Sequence, residues 1–155
     1  MKKKTKFNIP DSKIPRPKDF GGTIKYFFWH AIYPIFAEVR DGLITLHIIH
    51  HEGRQRFLLG KLAPGKEVEG FLKHLEKKGF GNHFVAWEDE GEVIGLRRLD
   101  GFTHQYHLRV FNDGEVRVHY EFTPEHHPYL HWAERGEEER GKDFLSFCGN
   151  WVIPV

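Results

Sequence analysis

The most regular hydrophobic pattern in the chain lies in residues 66–78. Four apolar side chains recur there at i, i+3, i+4 and i+7: Val68, Phe71, Leu72 and Leu75. This spacing is typical of an amphipathic α-helix that packs one face on a core. Gly79 follows directly, and glycine readily takes the left-handed conformation that ends many helices. The pattern therefore predicts one central helix.

After this helix the pattern changes to a period of two, which is typical of β-strands. Four such segments cover about 83–88, 92–98, 102–111 and 115–123. The turns between them are Asp89-Glu90-Gly91, Leu99-Asp100-Gly101 and Asn112-Asp113-Gly114. Each fits a three-residue loop that ends in a glycine with a bulge. We expect a four-stranded antiparallel meander.

The region before the helix is less regular. Residues 23–33 are apolar almost all round, so periodicity leaves helix and strand open, and Pro34 is expected to end the element. Residues 35–39 and 43–50 flank Asp41-Gly42, a hairpin signal, and a third strand is expected near residues 56–59. The N-terminal part therefore predicts a three-stranded meander.

These elements together predict an α+β protein with a mostly antiparallel sheet, curved around the central helix. A chain of 155 residues is long enough for one domain with a real core. We expect a basic flexible leader over residues 1–22 and a single domain over residues 23–155. Residues 1–18 carry seven Lys and Arg residues against Asp11 alone, although the net charge of the whole chain is only +1.

Composition narrows the cellular setting. Cys148 is the only cysteine, so no disulfide can form within the chain, and a reducing compartment is expected. No apolar run approaches the ~18 residues that cross a bilayer, and no signal-peptide core follows the lysines near residue 1. We therefore expect no membrane span and a cytoplasmic location. The sequence leaves the oligomeric state open.

The turn at residues 112–114 sets the register of the last two strands, and register decides which side chains share a face. The expected apolar pairs are Val110 with Val116, Leu108 with Val118, and Tyr106 with Tyr120. The expected polar pairs are Arg109 with Arg117, His107 with His119, and Gln105 with Glu121. The same rule applied to the other turns adds Arg97 to the polar face, opposite Thr103, and Trp87 to the row of the two histidines.

This polar face suggests a ligand that is anionic and carries a ring. Trp87 is placed to stack on a base, and Arg97, Arg109 and Arg117 to meet phosphates, with Gln105 between them. Binding of a nucleotide or single-stranded nucleic acid is therefore the leading functional hypothesis. The plain alternative is a solvated sheet surface with alternating charges.

Two other functions stay open. His107 and His119 are expected opposite each other, with Glu121 close by, and two imidazoles of ordinary pKa can act as general base and general acid. A metal-independent phosphodiester hydrolase is the second hypothesis. A protein–protein or structural role without a small ligand is the third. No P-loop, GxSxG or dinucleotide-binding glycine pattern is present, so the sequence does not decide whether the protein is an enzyme.

The chain contains twelve histidines, which raises the question of a metal. His127 and His131 are four residues apart, a ligand spacing that suits zinc on a helix, although Pro128 lies between them. His107, His119 and Glu121 offer a second set, but the neighbouring arginines are expected to lower its affinity for a cation. No cofactor is predicted, and a divalent metal is kept as an alternative.

Overall fold

The structure, a computed structural model, describes residues 7–13, 17, 19–46, 56–83, 89–127, 130–131 and 138–155. The helices are α1 (Phe20–Thr45), α2 (Val68–Lys77) and α3 (Gly141–Cys148), and a 3-10 turn follows at Gly149–Trp151. The strands are β1 (Phe57–Leu62), β2 (Gly81–Asn82), β3 (Glu92–Asp100), β4 (His104–Phe111), β5 (Glu115–Phe122) and β6 (Val152–Pro154). They form one antiparallel sheet in the order β2-β3-β4-β5-β1-β6. The fold is α+β, as the sequence predicts.

The strands β3, β4 and β5 form the predicted meander. Gly91, Gly101 and Gly114 have φ angles of 77°, 70° and 82°, so each turn contains the left-handed glycine that its sequence predicts. The segment 84–88, which covers most of the first predicted strand and includes Trp87, lies outside the described residues.

The predicted register between β4 and β5 is confirmed. His107 lies opposite His119, Arg109 opposite Arg117, and Gln105 opposite Glu121. Both faces of this strand pair therefore carry the residues that the turn chemistry assigned to them.

The predicted register between β3 and β4 is wrong by four residues. Arg97 lies opposite His107 and not opposite Thr103. The strand β3 continues through Asp100, which pairs with His104, so the loop starts later than the sequence indicated. Because the shift is even, the side chains from Ile94 to Arg98 keep their predicted faces. A bulge between Glu92 and Ile94 breaks the alternation, and Glu92 lies on the polar face beside Arg109.

The predicted N-terminal hairpin is also wrong. Residues 35–45 belong to the single helix α1, which runs through Pro34 and through the supposed turn at Asp41-Gly42. Residues 47–50 lie outside the described part of the chain. The strand β1 pairs with β5 and β6 and is therefore part of the main sheet. Alternating apolar residues in a short segment fit both a strand and one side of a helix, which explains the error.

One face of the sheet carries the hydrophobic core. The helix α2 has the predicted apolar stripe, with Phe71, Leu72 and Leu75 buried. Phe144 and Cys148 of α3 are buried beside them, so α3 packs on the same core. The opposite face of the sheet carries the polar residues of the predicted site. None of the helices in the described part of the chain has the length and hydropathy that a membrane span requires.

Candidate functional site

The polar face of the meander is an interior surface. His107, His119 and Glu121 are 2%, 0% and 2% exposed, and Arg97 is fully buried. Residues 10–12 lie along β2, where Ser12 accepts a hydrogen bond from Arg97. Because these residues are buried, a solvated sheet surface is excluded for this part of the face.

The segment after β5 supplies further contacts to the same face. Glu125 forms an ion pair with Arg97, with Oε1 3.1 Å from Nη1 and 3.1 Å from Nη2. The side chain of His131 reaches Glu121, with Nδ1 2.9 Å from Oε2. Residues 123–127 and His131 therefore belong to the polar face, while residues 141–152 belong to the apolar one.

Two of the three predicted anion-binding arginines are almost fully buried in ion pairs. Besides the pair between Arg97 and Glu125, Arg109 Nη1 lies 2.7 Å from Asp89 Oδ2 and 3.0 Å from Glu92 Oε2. A phosphate that approached either arginine would compete with a carboxylate already in contact. Local patterns do not reveal these acidic partners. Asp89 lies near a turn, Glu92 lies at a bulge in β3, and Glu125 belongs to a segment distant along the chain.

The third arginine, Arg117, is less deeply buried. Its Nη2 lies 3.0 Å from Glu115 Oε2, and its Nη1 donates to the backbone oxygen of Arg56 at 2.9 Å. Glu115 is a partner that sequence reasoning can find, because it stands two residues from Arg117 on the same face of β5. Trp87, the predicted stacking residue, lies outside the described residues.

Two imidazoles and a carboxylate meet at the centre of the face. His107 Nδ1 lies 3.2 Å from His119 Nε2, and Glu121 Oε1 lies 3.3 Å from the first nitrogen and 3.2 Å from the second. Four ligands held ~2.05 Å from Zn²⁺ in a tetrahedron are about 3.3 Å from one another. The three atoms therefore form a triangle with the dimensions of one tetrahedral face.

The protonation states of this triangle favour ligand chemistry. Burial lowers the pKa of His107 well below its usual value and lowers that of His119 to about 4, so both rings are neutral at pH 7. Burial alone would raise the pKa of Glu121, but the neighbouring His131 and hydrogen bonds from His107 and His119 hold it well below its usual value. The site therefore offers two neutral imidazoles and one ionised carboxylate, the forms that bind metals.

Each arrangement of protons on the two ring nitrogens of the triangle leaves one unfavourable contact. A proton on His107 Nδ1 alone leaves the lone pairs of His119 Nε2 and Glu121 Oε1 facing each other at 3.2 Å. A proton on His119 Nε2 alone leaves the lone pairs of His107 Nδ1 and Glu121 Oε1 facing each other at 3.3 Å. Protons on both nitrogens let each ring donate to Glu121 Oε1, but they leave the two N–H groups beside each other, with the nitrogens 3.2 Å apart. A cation at the centre would instead accept all three lone pairs.

Outer residues hold two of the three ligands. Gln105 Nε2 donates to Glu121 Oε1 at 2.7 Å, and His131 Nδ1 contacts the other carboxylate oxygen. Burial lowers the pKa of His131, but the Glu121 carboxylate, the backbone oxygen of Phe122 and the charge of Glu125 together raise it overall, which favours the charged form. His83 Nδ1 lies 3.3 Å from His107 Nε2, on the far side of that ring. Such contacts orient metal-ligating side chains and fix the histidine tautomer.

The two predicted zinc ligands His127 and His131 contact different partners in the structure. His127 Nδ1 accepts a hydrogen bond from the backbone of Leu130 at 3.3 Å, while His131 turns toward Glu121. Among the described residues, the group whose ligand atoms converge within 4.8 Å consists of His107, His119 and Glu121. His131 therefore takes part in the polar cluster as a partner of Glu121.

The acid–base pair predicted for a hydrolase is in contact, but its surroundings differ from the expectation. General acid–base catalysis near pH 7 works best with groups whose pKa lies near 7. Burial moves the pKa values of both His107 and His119 well below that range. Hydrolysis stays a prediction that only an activity measurement can test.

Comparison of the chain with protein-family models, with curated proteins and with solved structures found no match.

Proposed function

We propose that this protein binds one divalent transition-metal ion through His107 Nδ1, His119 Nε2 and Glu121 Oε1. The observation that carries the proposal is the triangle of these three atoms, with sides of 3.2, 3.3 and 3.2 Å. Residues of β4 and β5 form it, so the ion would tie two adjacent strands together.

The positive charges of the arginines beside the triangle oppose cation binding less than the sequence suggested. Glu125 lies against Arg97, and Asp89 and Glu92 lie against Arg109, so their positive charges are balanced within the fold. The carboxylate of Glu121 would balance part of the charge of the ion once His131, which contacts the same carboxylate, gives up its proton. The local charges therefore leave room for a buried divalent cation.

The donor atoms indicate the class of metal. Two imidazole nitrogens and one carboxylate suit Zn²⁺, Fe²⁺, Co²⁺ or Ni²⁺, whereas Mg²⁺ and Ca²⁺ prefer oxygen ligands throughout. We take Zn²⁺ as the first candidate because the triangle matches a tetrahedral face. Since His107 and His119 are at most 2% exposed, we propose a stabilising role for the ion, with its binding free energy added to that of folding.

Titration of metal-free protein with Co²⁺ tests this proposal. Four-coordinate Co²⁺ absorbs visible light much more strongly than the hydrated ion, so a saturable band at one equivalent per chain is expected. Zn²⁺ should then displace the Co²⁺ and abolish the band. At a free Zn²⁺ concentration of 100 times Kd, the protein should gain about 2.7 kcal/mol of stability.

Matched variants connect the signal to the triangle. We expect His119→Gln and Glu121→Gln each to abolish the Co²⁺ band. His74→Gln should keep it, because His74 contacts the backbone oxygen of Phe147 elsewhere in the fold. His127→Gln should also keep it. A band that survives in both triangle variants, or is lost only in His127→Gln, contradicts the proposal.

Binding of a nucleotide or single-stranded nucleic acid stays a prediction for the same region of the fold. Its direct test is the double variant Arg109→Ala and Arg117→Ala, examined for RNA and nucleotide binding at low salt. Weaker binding in that variant supports the prediction, whereas wild-type protein that binds neither ligand refutes it. EDTA distinguishes metal binding from nucleotide binding. It should remove the metal ion, whereas RNA or nucleotide binding through arginine–phosphate contacts should be unchanged.

A further inference from the structure

The helix α1 exposes an unusual amount of apolar surface. Seven large hydrophobic residues of α1 and of the position after it are each more than half exposed: Phe20, Ile24, Phe27, Phe28, Ile35, Val39 and Leu46. At 100° per residue they fall within an arc of about 120°, the width of a stripe that normally faces a core. We call these residues, together with Ala31 and Gly42 within the same arc, the α1 stripe.

The size of the stripe matches a protein interface. Large apolar side chains expose ~150–200 Å² each when bare, so the exposed fractions amount to ~700–900 Å². Soluble monomers rarely expose an apolar patch beyond ~300–600 Å². A standard interface buries ~800 Å² on each partner. The stripe therefore has the area that one side of a stable dimer needs.

The order of residues along the stripe is self-complementary. If two copies of α1 lie antiparallel with the two-fold axis at residue 33, then Phe20 faces Leu46, Ile24 faces Gly42, Phe27 faces Val39, and Ala31 faces Ile35. Two of these pairs set a large side chain against a small one. A Cβ built at Gly42 would meet nothing within 4 Å, so the chain leaves space there for Ile24 of a second copy.

The attachment of α1 to the domain favours the antiparallel arrangement. Near its first turn, Gly22 packs against Phe102, so the start of α1 lies on the domain. A parallel pair would bring both domains to the same end of the helices, where they would compete for space. An antiparallel pair places them at opposite ends. We propose that the protein forms a two-fold homodimer in which two α1 stripes pack antiparallel.

The first test is the mass of the full chain by light scattering and sedimentation. We expect wild-type protein to have the mass of two chains, and Ile35→Glu to raise the dimer dissociation constant by about 100-fold or more. Ile153→Glu on β6 is the matched control, because Ile153 is 53% exposed against 66% for Ile35, and it should remain dimeric. Wild-type protein with the mass of one chain overturns the proposal.

A cross-linking test does not depend on the stability of Ile35→Glu. The double variant Ile24→Cys with Gly42→Cys should form disulfide-linked dimers, since these positions face each other between chains. Within one helix they lie about 27 Å apart, so no bond can form inside a chain. Ile24→Cys alone should not cross-link, and if it does, the helices are parallel and the arrangement is wrong.

Two controls test whether the α1 stripe binds lipid and whether the dimer depends on the metal. Vesicles of neutral or anionic phospholipid should not bind the wild-type protein, and flotation with vesicles that is lost in Ile35→Glu would assign the stripe to a lipid surface instead. Dimerisation should persist in EDTA, because α1 contributes none of the three proposed metal ligands. Failure of the dimer and failure of the metal site are thus independent results.

Discussion

The ion pair between Arg97 and Glu125 provides a quantitative test of how the polar face is covered. The variant Glu125→Gln keeps the size of the side chain and removes its charge. In the wild-type protein, the carboxylate oxygen Oε1 accepts from both Arg97 Nη1 and Nη2 at 3.1 Å. The variant sets a neutral amide against that guanidinium, and half of the amide is itself a hydrogen-bond donor.

The expected loss is large because both partners are buried. The side chains of Arg97 and Glu125 are 0% and 2% exposed, so water cannot replace the lost carboxylate. Removing one partner of such a pair typically costs about 3–5 kcal/mol. At an m-value of ~2 kcal/mol/M, the urea midpoint should fall by ~1.5–2.5 M. The loss is a large part of the ~5–15 kcal/mol that stabilises an ordinary domain.

Urea unfolding followed by tryptophan fluorescence and circular dichroism measures this loss. The matched control is Glu69→Gln, which breaks the pair of Glu69 with Lys73 on α2. These two side chains are 63% and 65% exposed, and the solvent screens their attraction, so the midpoint of the control should equal that of the wild type. If Glu125→Gln also unfolds at the wild-type midpoint, residues 123–127 do not bury the polar face and the account of the site is wrong.

Four further predictions concern the rest of the fold. Burial raises the pKa of Cys148 to about 12, so the thiol should resist a disulfide reagent at pH 8 in native protein and react fully in guanidinium. Because folding raises this pKa, the free energy of unfolding should also fall as the pH rises above 9, where the thiol ionises only in the unfolded chain. Phe144→Ala should cost about 3–5 kcal/mol in urea unfolding, since Phe144 is fully buried between α3 and the sheet. Gly114→Ala should cost about 1–2 kcal/mol by the same measurement, because alanine is strained at a φ of 82°.

The meander could be predicted because its information is local. The loop Asn112-Asp113-Gly114 has the glycine that its turn type requires, and that glycine fixes the register of β4 against β5. The pairing of His107 with His119 follows from this register alone, and the structure confirms it. The same approach misplaced the loop near Gly101 by two residues, and the alternation of faces survived because side chains repeat with a period of two.

The burial of the polar face could not be predicted, because it depends on distant segments. Ser12 and Glu125 are 85 and 28 residues away from Arg97 along the chain, and no local pattern connects them. Without these contacts, arginines on a sheet face suggest a site for an external anion. With them, two of the arginines belong to internal ion pairs. The candidate ligand site is then the group of His107, His119 and Glu121.

The N-terminal helix shows a second limit of local patterns. Asp41-Gly42 between two apolar segments is a strong hairpin signal, yet α1 runs through it. The residues Ile35, Val39, Gly42 and Leu46 also fit one side of a helix, at spacings of four, three and four. The proposed antiparallel packing of two α1 helices would bury this side, and such a contact lies outside the information in a single chain.

Anomalous X-ray scattering from crystals grown with one equivalent of Zn²⁺ shows whether a metal ion occupies the triangle of His107, His119 and Glu121. Difference maps from data collected on either side of the zinc absorption edge locate the ion without reference to the protein atoms. We predict one peak about 2.0–2.2 Å from His107 Nδ1, His119 Nε2 and Glu121 Oε1. A peak between His127 and His131 instead, or no peak inside the sheet, would contradict the proposed metal centre.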